Sequence, residues 1–296
     1  MSYLALYTSE SSVFSGFQTD FSDADYVILG VPFDLTSTYR TGSRFAPLAI
    51  REASLNIETY SFRTGIDLEE SKLHDAGDLH ISGDIEETLR RLELVTREVF
   101  QAKKIPILIG GEHTITLGVV KGFEGDIAVV SFDAHLDLRN EYMDRSISHA
   151  TFMRRISEQA RVKRIIEVGT RAVCREEIDY AKSSLTQFIT SQQIMKSDVR
   201  EVSEDIRSLL EDSKTVYLSI DMDVLDPAFA PGVQNPEPDG LSINALLGVL
   251  GEICNSRIVG FDLTEVTPHH DTGITAIQAA KVMFEVICSL EKAKGL

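Results

Sequence analysis

Asp126-Ile-Ala-Val-Val-Ser-Phe132 passes without a break into Asp133-Ala-His-Leu-Asp137. The first half has the length and β-branched content of a buried strand. Such a strand should not end in two carboxylates and an imidazole at alternate positions. Side chains alternate along an extended chain, so residues 133, 135 and 137 can point the same way. Three such groups meeting at a strand end repel one another or lose hydration at a cost, unless a cation holds them. Thr215-Val-Tyr-Leu-Ser-Ile220 repeats the pattern and runs straight into Asp221-Met-Asp223. The two segments read as halves of one metal site.

Outward from these segments, short apolar runs alternate with helical patterns. Strands are predicted at Tyr26–Val31, Ile105–Ile109, Ile127–Phe132, Arg164–Gly169, Thr215–Ile220 and Arg257–Asp262. Amphipathic helices are predicted at Pro47–Ser54, Asp84–Ala102, Ser203–Leu210, Ser242–Ile253 and Ile274–Glu291, with Pro47 in a first turn and Ser242 as an N-cap. Alternation of this kind implies βαβ units, hence an α/β fold with a central, mostly parallel β-sheet covered by helices on both faces. No repeat, low-complexity tract or linker divides residues 1–296, which are expected to form a single domain. The segment Asp226–Gly240 holds four of the eight prolines and directly follows Asp223, so it is expected to be an ordered loop at the site.

The bulk composition narrows the partners. With 43% apolar and 25% charged residues the chain can bury a full core. Its formal charge of −17 disfavours nucleic acid and anionic membranes and suits a small cation or a divalent metal, although an acidic solvated surface accounts for such a charge equally well. Cys174, Cys254 and Cys288 are widely spaced, which argues against a disulfide scaffold and fits a reducing compartment. No signal peptide and no membrane-spanning apolar stretch is evident, so a cytoplasmic location is expected.

In open α/β sheets, ligands bind beyond the carboxyl ends of the strands. Four strands here end in suggestive residues: Gly110-Gly-Glu-His-Thr114, Asp133-Ala-His-Leu-Asp137, Asp221-Met-Asp223 and Asp262-Leu-Thr-Glu-Val-Thr-Pro268. Taken alone, each fragment also fits capping or loop solvation. Their co-occurrence places acids and imidazoles on one rim, and adjacent acids without a metal are hard to reconcile with stability. Carboxylates and imidazoles without thiolate suit Mn²⁺ or a similar ion better than structural zinc. Six such residues suit two ions, which together acidify a water for hydrolysis.

These residues resemble the ureohydrolases, the family of arginase, agmatinase and related guanidino-group hydrolases. The likeness runs through Gly30-Val-Pro-Phe-Asp34, Arg40-Thr-Gly-Ser-Arg-Phe-Ala-Pro-Leu-Ala-Ile-Arg-Glu52, Asp75-Ala-Gly-Asp78, Gly110-Gly-Glu-His113, Asp133–Asp137, Ser219-Ile-Asp-Met-Asp-Val-Leu-Asp-Pro227 and Gly260-Phe-Asp-Leu-Thr-Glu-Val266. It implies an arginase-like three-layer αβα fold and two Mn²⁺ per subunit. His113, Asp133, Asp137 and Asp221 would hold one ion. His135, Asp133, Asp221 and Asp223 would hold the other, with Asp133 and Asp221 bridging. A hydroxide bridging the two ions would attack the guanidinium carbon. The catalytic set implied is Asp137, His149, which relays protons near the leaving amine, and Glu265, which orients the guanidinium. Glu112 stands where many relatives carry Asp, and Ala150 where many carry Gly. The family also implies a homotrimer or homohexamer.

The most similar branch is agmatinase, through Ser37–Ser61 and His149–Arg155, which implies a small cationic guanidino substrate: agmatine, or an N-substituted agmatine, split to urea and putrescine or the corresponding polyamine. The amino-acid clamp of arginases is not evident, because Arg139 occupies its Asn position. Glu141 or Asp144 could meet a distal ammonium, or simply solvate the loop. Other readings are an arginase, a guanidinobutyrase or a formiminoglutamase, for which Arg139 or Arg145 could clamp an acid tail, and a non-catalytic guanidino-binding relative. His74 and His80 are assigned to loops, and His269 and His270 to the substrate mouth.

Overall fold

The computed structural model describes residues 2–295. Nine strands form one sheet: β1 (Thr8–Ser9), β2 (Tyr26–Val31), β3 (Leu73–Leu79), β4 (Ile105–Gly110), β5 (Ile127–Phe132), β6 (Val162–Thr170), β7 (Thr186–Thr190), β8 (Val216–Asp221) and β9 (Ile258–Thr264). Their order is β1-β3-β2-β4-β9-β8-β5-β6-β7, parallel throughout except for the short β1. The helices are α1 (Tyr3–Tyr7), α2 (Ala46–Ser54), α3 (Ile85–Gln101), α4 (Ile115–Gly122), α5 (Phe152–Ser157), α6 (Arg175–Ser183), α7 (Ser191–Lys196), α8 (Val199–Leu209), α9 (Ile243–Ile253) and α10 (Ile274–Lys294).

The pleat of each central strand supplies both cores. Ala128, Val130 and Phe132 of β5 pack with α2, α8, α9 and α10, whereas Ile127 and Val129 face α3, α4, α5 and α6. The result is the three-layer αβα arrangement expected from the alternating pattern. Fully burying one such aliphatic side chain stabilises the fold by about 1.5–3 kcal/mol. All six predicted strands are present within two residues at each end. Helix α8 starts at Val199, four positions before the predicted Ser203, because Asp198 caps it by accepting the Arg200 N–H.

Strand β3 escapes a periodicity search because Leu73-His-Asp-Ala-Gly-Asp-Leu79 is polar at core-facing positions. Asp75 is buried there against the guanidinium of Arg51, which is itself fully buried on α2; Nη2 and Nε reach its two oxygens at 2.8 Å, and Nη1 reaches Asp78 at 2.6 Å. The paired fork makes an otherwise costly acid tolerable inside the sheet.

What the topology does for the site is bring four strand ends together. β4, β9, β8 and β5 are consecutive neighbours and all point the same way. Their carboxyl ends carry the four fragments singled out from the sequence, which places them on one rim at the point where the strand order reverses.

Candidate metal centre

His113 reaches the rim through a turn that only glycine allows. A Cβ on Gly111 would lie 2.0 Å from the backbone oxygen of Phe33. The turn is clamped on both sides: the Glu112 N–H donates to Phe33 O at 2.7 Å, and the Glu265 N–H donates to Gly111 O at 2.8 Å. Two acids of the rim, Asp137 (φ 50°) and Glu265 (φ 69°), sit in the left-handed region. That conformation is uncommon outside glycine and concentrates at functional sites.

Below the rim a buried polar row crosses the sheet, Glu167–Ser131–Ser219–Asp262, each residue in register with the next. Ser219 Oγ donates to Asp262 Oδ1 at 2.6 Å, and Tyr217 and Thr116 donate to Oδ2 at 2.8 and 2.9 Å. Having given its proton to Asp262, Ser219 accepts from His113 Nε2 at 2.7 Å. The histidine's other nitrogen is therefore turned into the site.

That nitrogen, Nδ1 of His113, lies 2.9 Å from Asp133 Oδ2 and 3.1 Å from Asp221 Oδ2, yet it forms no aligned hydrogen bond with either. Distance alone would read as two ion pairs, but the angles do not fit a proton shared with one oxygen. A cation between the three atoms fits all of them at once. His135 Nδ1 stands 3.0 Å from Asp223 Oδ2 and 3.4 Å from Asp133 Oδ1. The ligand atoms thus group as His113–Asp133–Asp221 and Asp133–His135–Asp223, with Asp133 common to both. Asp137 is more peripheral, 3.9 Å from His113 Nδ1.

The electrostatics carry the same tension. Burial opposes charge on every member, but Asp133 and Asp221 raise His113 well above the usual imidazole range, and Asp223 and Asp133 do the same to His135. Burial and the neighbouring carboxylates push Asp137 and Asp221 well up, while His113 and His135 overcome burial to hold Asp133 below the carboxylate range. Left to itself the cluster must keep protons on buried acids, whereas a divalent ion would take their place.

His149 and Glu265 face the same cavity of about 460 Å³, whose wall also includes Arg139, Tyr142, Arg171, Glu177, Asn235 and Glu237. Glu265 Oε1 accepts the His113 N–H at 2.6 Å, while Oε2 is buried without a partner. Burial and then the nearby Glu112 push this carboxyl up to about 8. Burial lowers His149 to about 4.

The arginase family profile matches residues 24–289. This chain belongs to the arginase family. An agmatinase of Pyrococcus horikoshii is 37% identical over 287 residues, covering 96% of this arginase-family chain and 98% of its own. An N(1)-aminopropylagmatine ureohydrolase of Thermococcus kodakarensis is 37% identical over 91% of this chain and 92% of its own. The solved agmatine ureohydrolase of Thermoplasma volcanium superposes with a TM-score of 0.88 at 37% identity, covering 99% of this chain and 98% of that one.

Residues around this arginase-family site separate into those that line the cavity and those that do not. Glu141 and Asp144 are exposed, and neither they nor His269 and His270 line the cavity among the described residues. His269 packs instead on Phe45, with ring centroids 4.7 Å apart. Arg139 does line it, stacked on Tyr142 at 5.2 Å. Glu177, Asn235 and Glu237 on the wall were not anticipated, nor were Arg171 and Thr36. Arg171 donates to the carbonyls of Asp223 (2.7 Å), Glu237 (2.8 Å) and Pro238 (2.9 Å), and also reaches Gly169, Val224 and Leu225, so it braces the Asp226–Gly240 loop. Its sequence signal is no more than an arginine just past the end of β6. Thr36 lies between Glu112 and His149, and nothing in the sequence around it marks it.

Proposed function

We propose that this chain hydrolyses the guanidino group of agmatine or an N-substituted agmatine, releasing urea and putrescine or the corresponding polyamine, with two Mn²⁺ per subunit, and that residues 1–296 act as one ureohydrolase domain. The observation that carries this reading is a pair of His/Asp triads sharing Asp133, opening into a cavity also lined by Glu265, whose Oε2 is buried without a partner. His113, Asp133, Asp137 and Asp221 would hold one ion, and His135, Asp133, Asp221 and Asp223 the other. When bound, the ions supply Lewis acidity that lets a water act as nucleophile at neutral pH.

The chain's own residues do the rest. Glu265 Oε2 accepts guanidinium N–H groups and sets the carbon against the triads; arrival of that cation favours the carboxylate over its protonated form. His149 takes up a proton from the attacking water side and hands it to the departing amine as the C–N bond breaks. On the cavity wall, both oxygens of Glu177 are occupied by the N–H groups of Leu138 and Cys174, whereas Glu237 has no side-chain hydrogen bond among the described residues. Glu237 is therefore the carboxylate assigned to the distal ammonium. A soluble oligomer of three or six copies belongs to the same proposal. It rests on the family likeness.

The test is urea release across agmatine, N-aminopropylagmatine, arginine, 4-guanidinobutyrate and formiminoglutamate with defined Mn²⁺. Agmatine or its aminopropyl form should lead the series. A lead for the acids would move the assignment to Arg139 as clamp. No urea or formamide from any of them, with metal loaded, would remove the hydrolase reading.

A further inference from the structure

Glu112 is fully buried beside His113, yet its carboxylate does not face the triads. It accepts the Thr36 N–H on Oε2 at 2.7 Å, and its Oε1 takes the hydroxyls of both Thr36 and Thr114. Thr36 Oγ1 in turn lies 3.0 Å from the His149 backbone N and 3.1 Å from His149 Nδ1. Thr36 is 6% exposed and Glu112 0%, so solvent competes little for these bonds.

A hydroxyl has one proton and two lone pairs. With Glu112 ionised its oxygens can only accept, and Thr36 gives its proton to Oε1. Both lone pairs of Oγ1 then face His149, one meeting its backbone N–H and the other its ring. The ring nitrogen at 3.1 Å must therefore be the donor. We infer that Glu112, acting through Thr36, fixes His149 as the Nδ1–H tautomer and leaves Nε2 as a bare acceptor facing the cavity. Glu112 and Thr36 are thus positioning residues for proton transfer. Thr38 Oγ1, 3.4 Å from Nε2, is the hydroxyl closest to that lone pair. This assignment rests on the proposed role of His149 for its catalytic consequence, but the tautomer itself is a property of the fold.

An orienting group of this kind works by removing a choice. A free imidazole populates both neutral tautomers, and only the one with a lone pair at Nε2 can take a proton on the cavity side. Glu112→Gln offers a sharper test than deletion. The amide oxygen can keep the Thr36 N–H, which turns the NH₂ group towards Oγ1. Thr36 must then accept from the amide and point its own proton at His149 Nδ1, reversing the tautomer.

The experiment is ¹⁵N NMR of the ring nitrogens in the metal-free full-length protein at neutral pH, with His149 assigned by loss of its signals in His149→Asn. Nδ1–H is expected in the wild type, Nε2–H in Glu112→Gln, a mixture in Thr36→Val, and Nδ1–H again in Thr36→Ser. With Mn²⁺ loaded, kcat for urea release should fall about 10- to 100-fold in Glu112→Gln and Thr36→Val, with KM within roughly threefold, and Thr36→Ser should recover most of it. Nε2–H in the wild type, or an unchanged Nδ1–H in folded Glu112→Gln, overturns the inference. If Glu112→Gln does not fold, the Thr36→Val and Thr36→Ser pair decides by the same spectra. Failure of the hydrolase reading shows differently, as absence of turnover in a wild type whose His149 still carries its proton on Nδ1.

Discussion

Burial holds His149 near 4, below the ordinary imidazole value of about 6.5. An unfolded chain takes up this proton first as the pH falls, so in that window it binds more protons than the folded one and stability declines. The contribution is fully present above about 6.5 and is lost down to about 4, a difference of roughly 3 kcal/mol at most. Urea-denaturation midpoints of the metal-free protein from pH 7 to 4 should therefore fall more steeply in the wild type than in His149→Asn. Parallel curves would mean that the ring titrates normally. Glu265 supports a complementary expectation at the same scale. Gln in its place can still accept the His113 N–H but offers no charge to a guanidinium, so kcat/KM should drop about 10- to 100-fold, the worth of a charge-assisted hydrogen bond. An unaltered kcat/KM would take Glu265 out of substrate binding.

Among the elements, the turn after β4 and the loop after β8 set the geometry of the rim. Gly111→Ala forces its new methyl into the Phe33 backbone, and Mn²⁺ retention through gel filtration should be lost along with roughly 2 kcal/mol or more of stability. Arg171→Ala strips the donors from the Asp226–Gly240 loop, and limited proteolysis there should accelerate before the thermal midpoint of the whole protein moves far. Cleavage at the wild-type rate would show that the loop's other anchors, among them Arg40 on Pro231 O and the Gly232 N–H on Thr275 Oγ1, hold it without Arg171. The ease of reading these elements from sequence was uneven for physical reasons. Strands such as β5 announce themselves because both faces are buried and every position but Ser131 is apolar. Strand β3 does not, since Asp75 occupies a core position made habitable by Arg51, on a separate helix, and by the N–H groups of Phe14 and Gly77. The candidate ligands were legible because acids at apolar strand ends are locally anomalous. Thr36 was not, because its meaning comes from His149, 113 residues further on, and from a carboxylate on a third segment.

At the scale of the whole molecule, the buried acids would couple folding to metal uptake. Free Mn²⁺ at one hundred times its Kd should raise stability by about 2.7 kcal/mol per independent site, several degrees in thermal midpoint. Asp133→Asn, which alters the residue common to both triads, should abolish most of that rise. No rise with any divalent ion would remove the metal centre altogether. The sheet order adds a constraint in time. β4 and β5 are consecutive along the chain, yet β9 and β8 lie between them, so the interval between His113 and Asp133 is filled by residues beyond 215. A ribosome therefore releases the first half of the rim long before the strands that hold it together exist. During that delay the apolar edges of β4 and β5 stand open as sticky surfaces. The two halves of the rim are joined only when Thr264 has emerged, so any ion held by both halves must wait for β9 to be made.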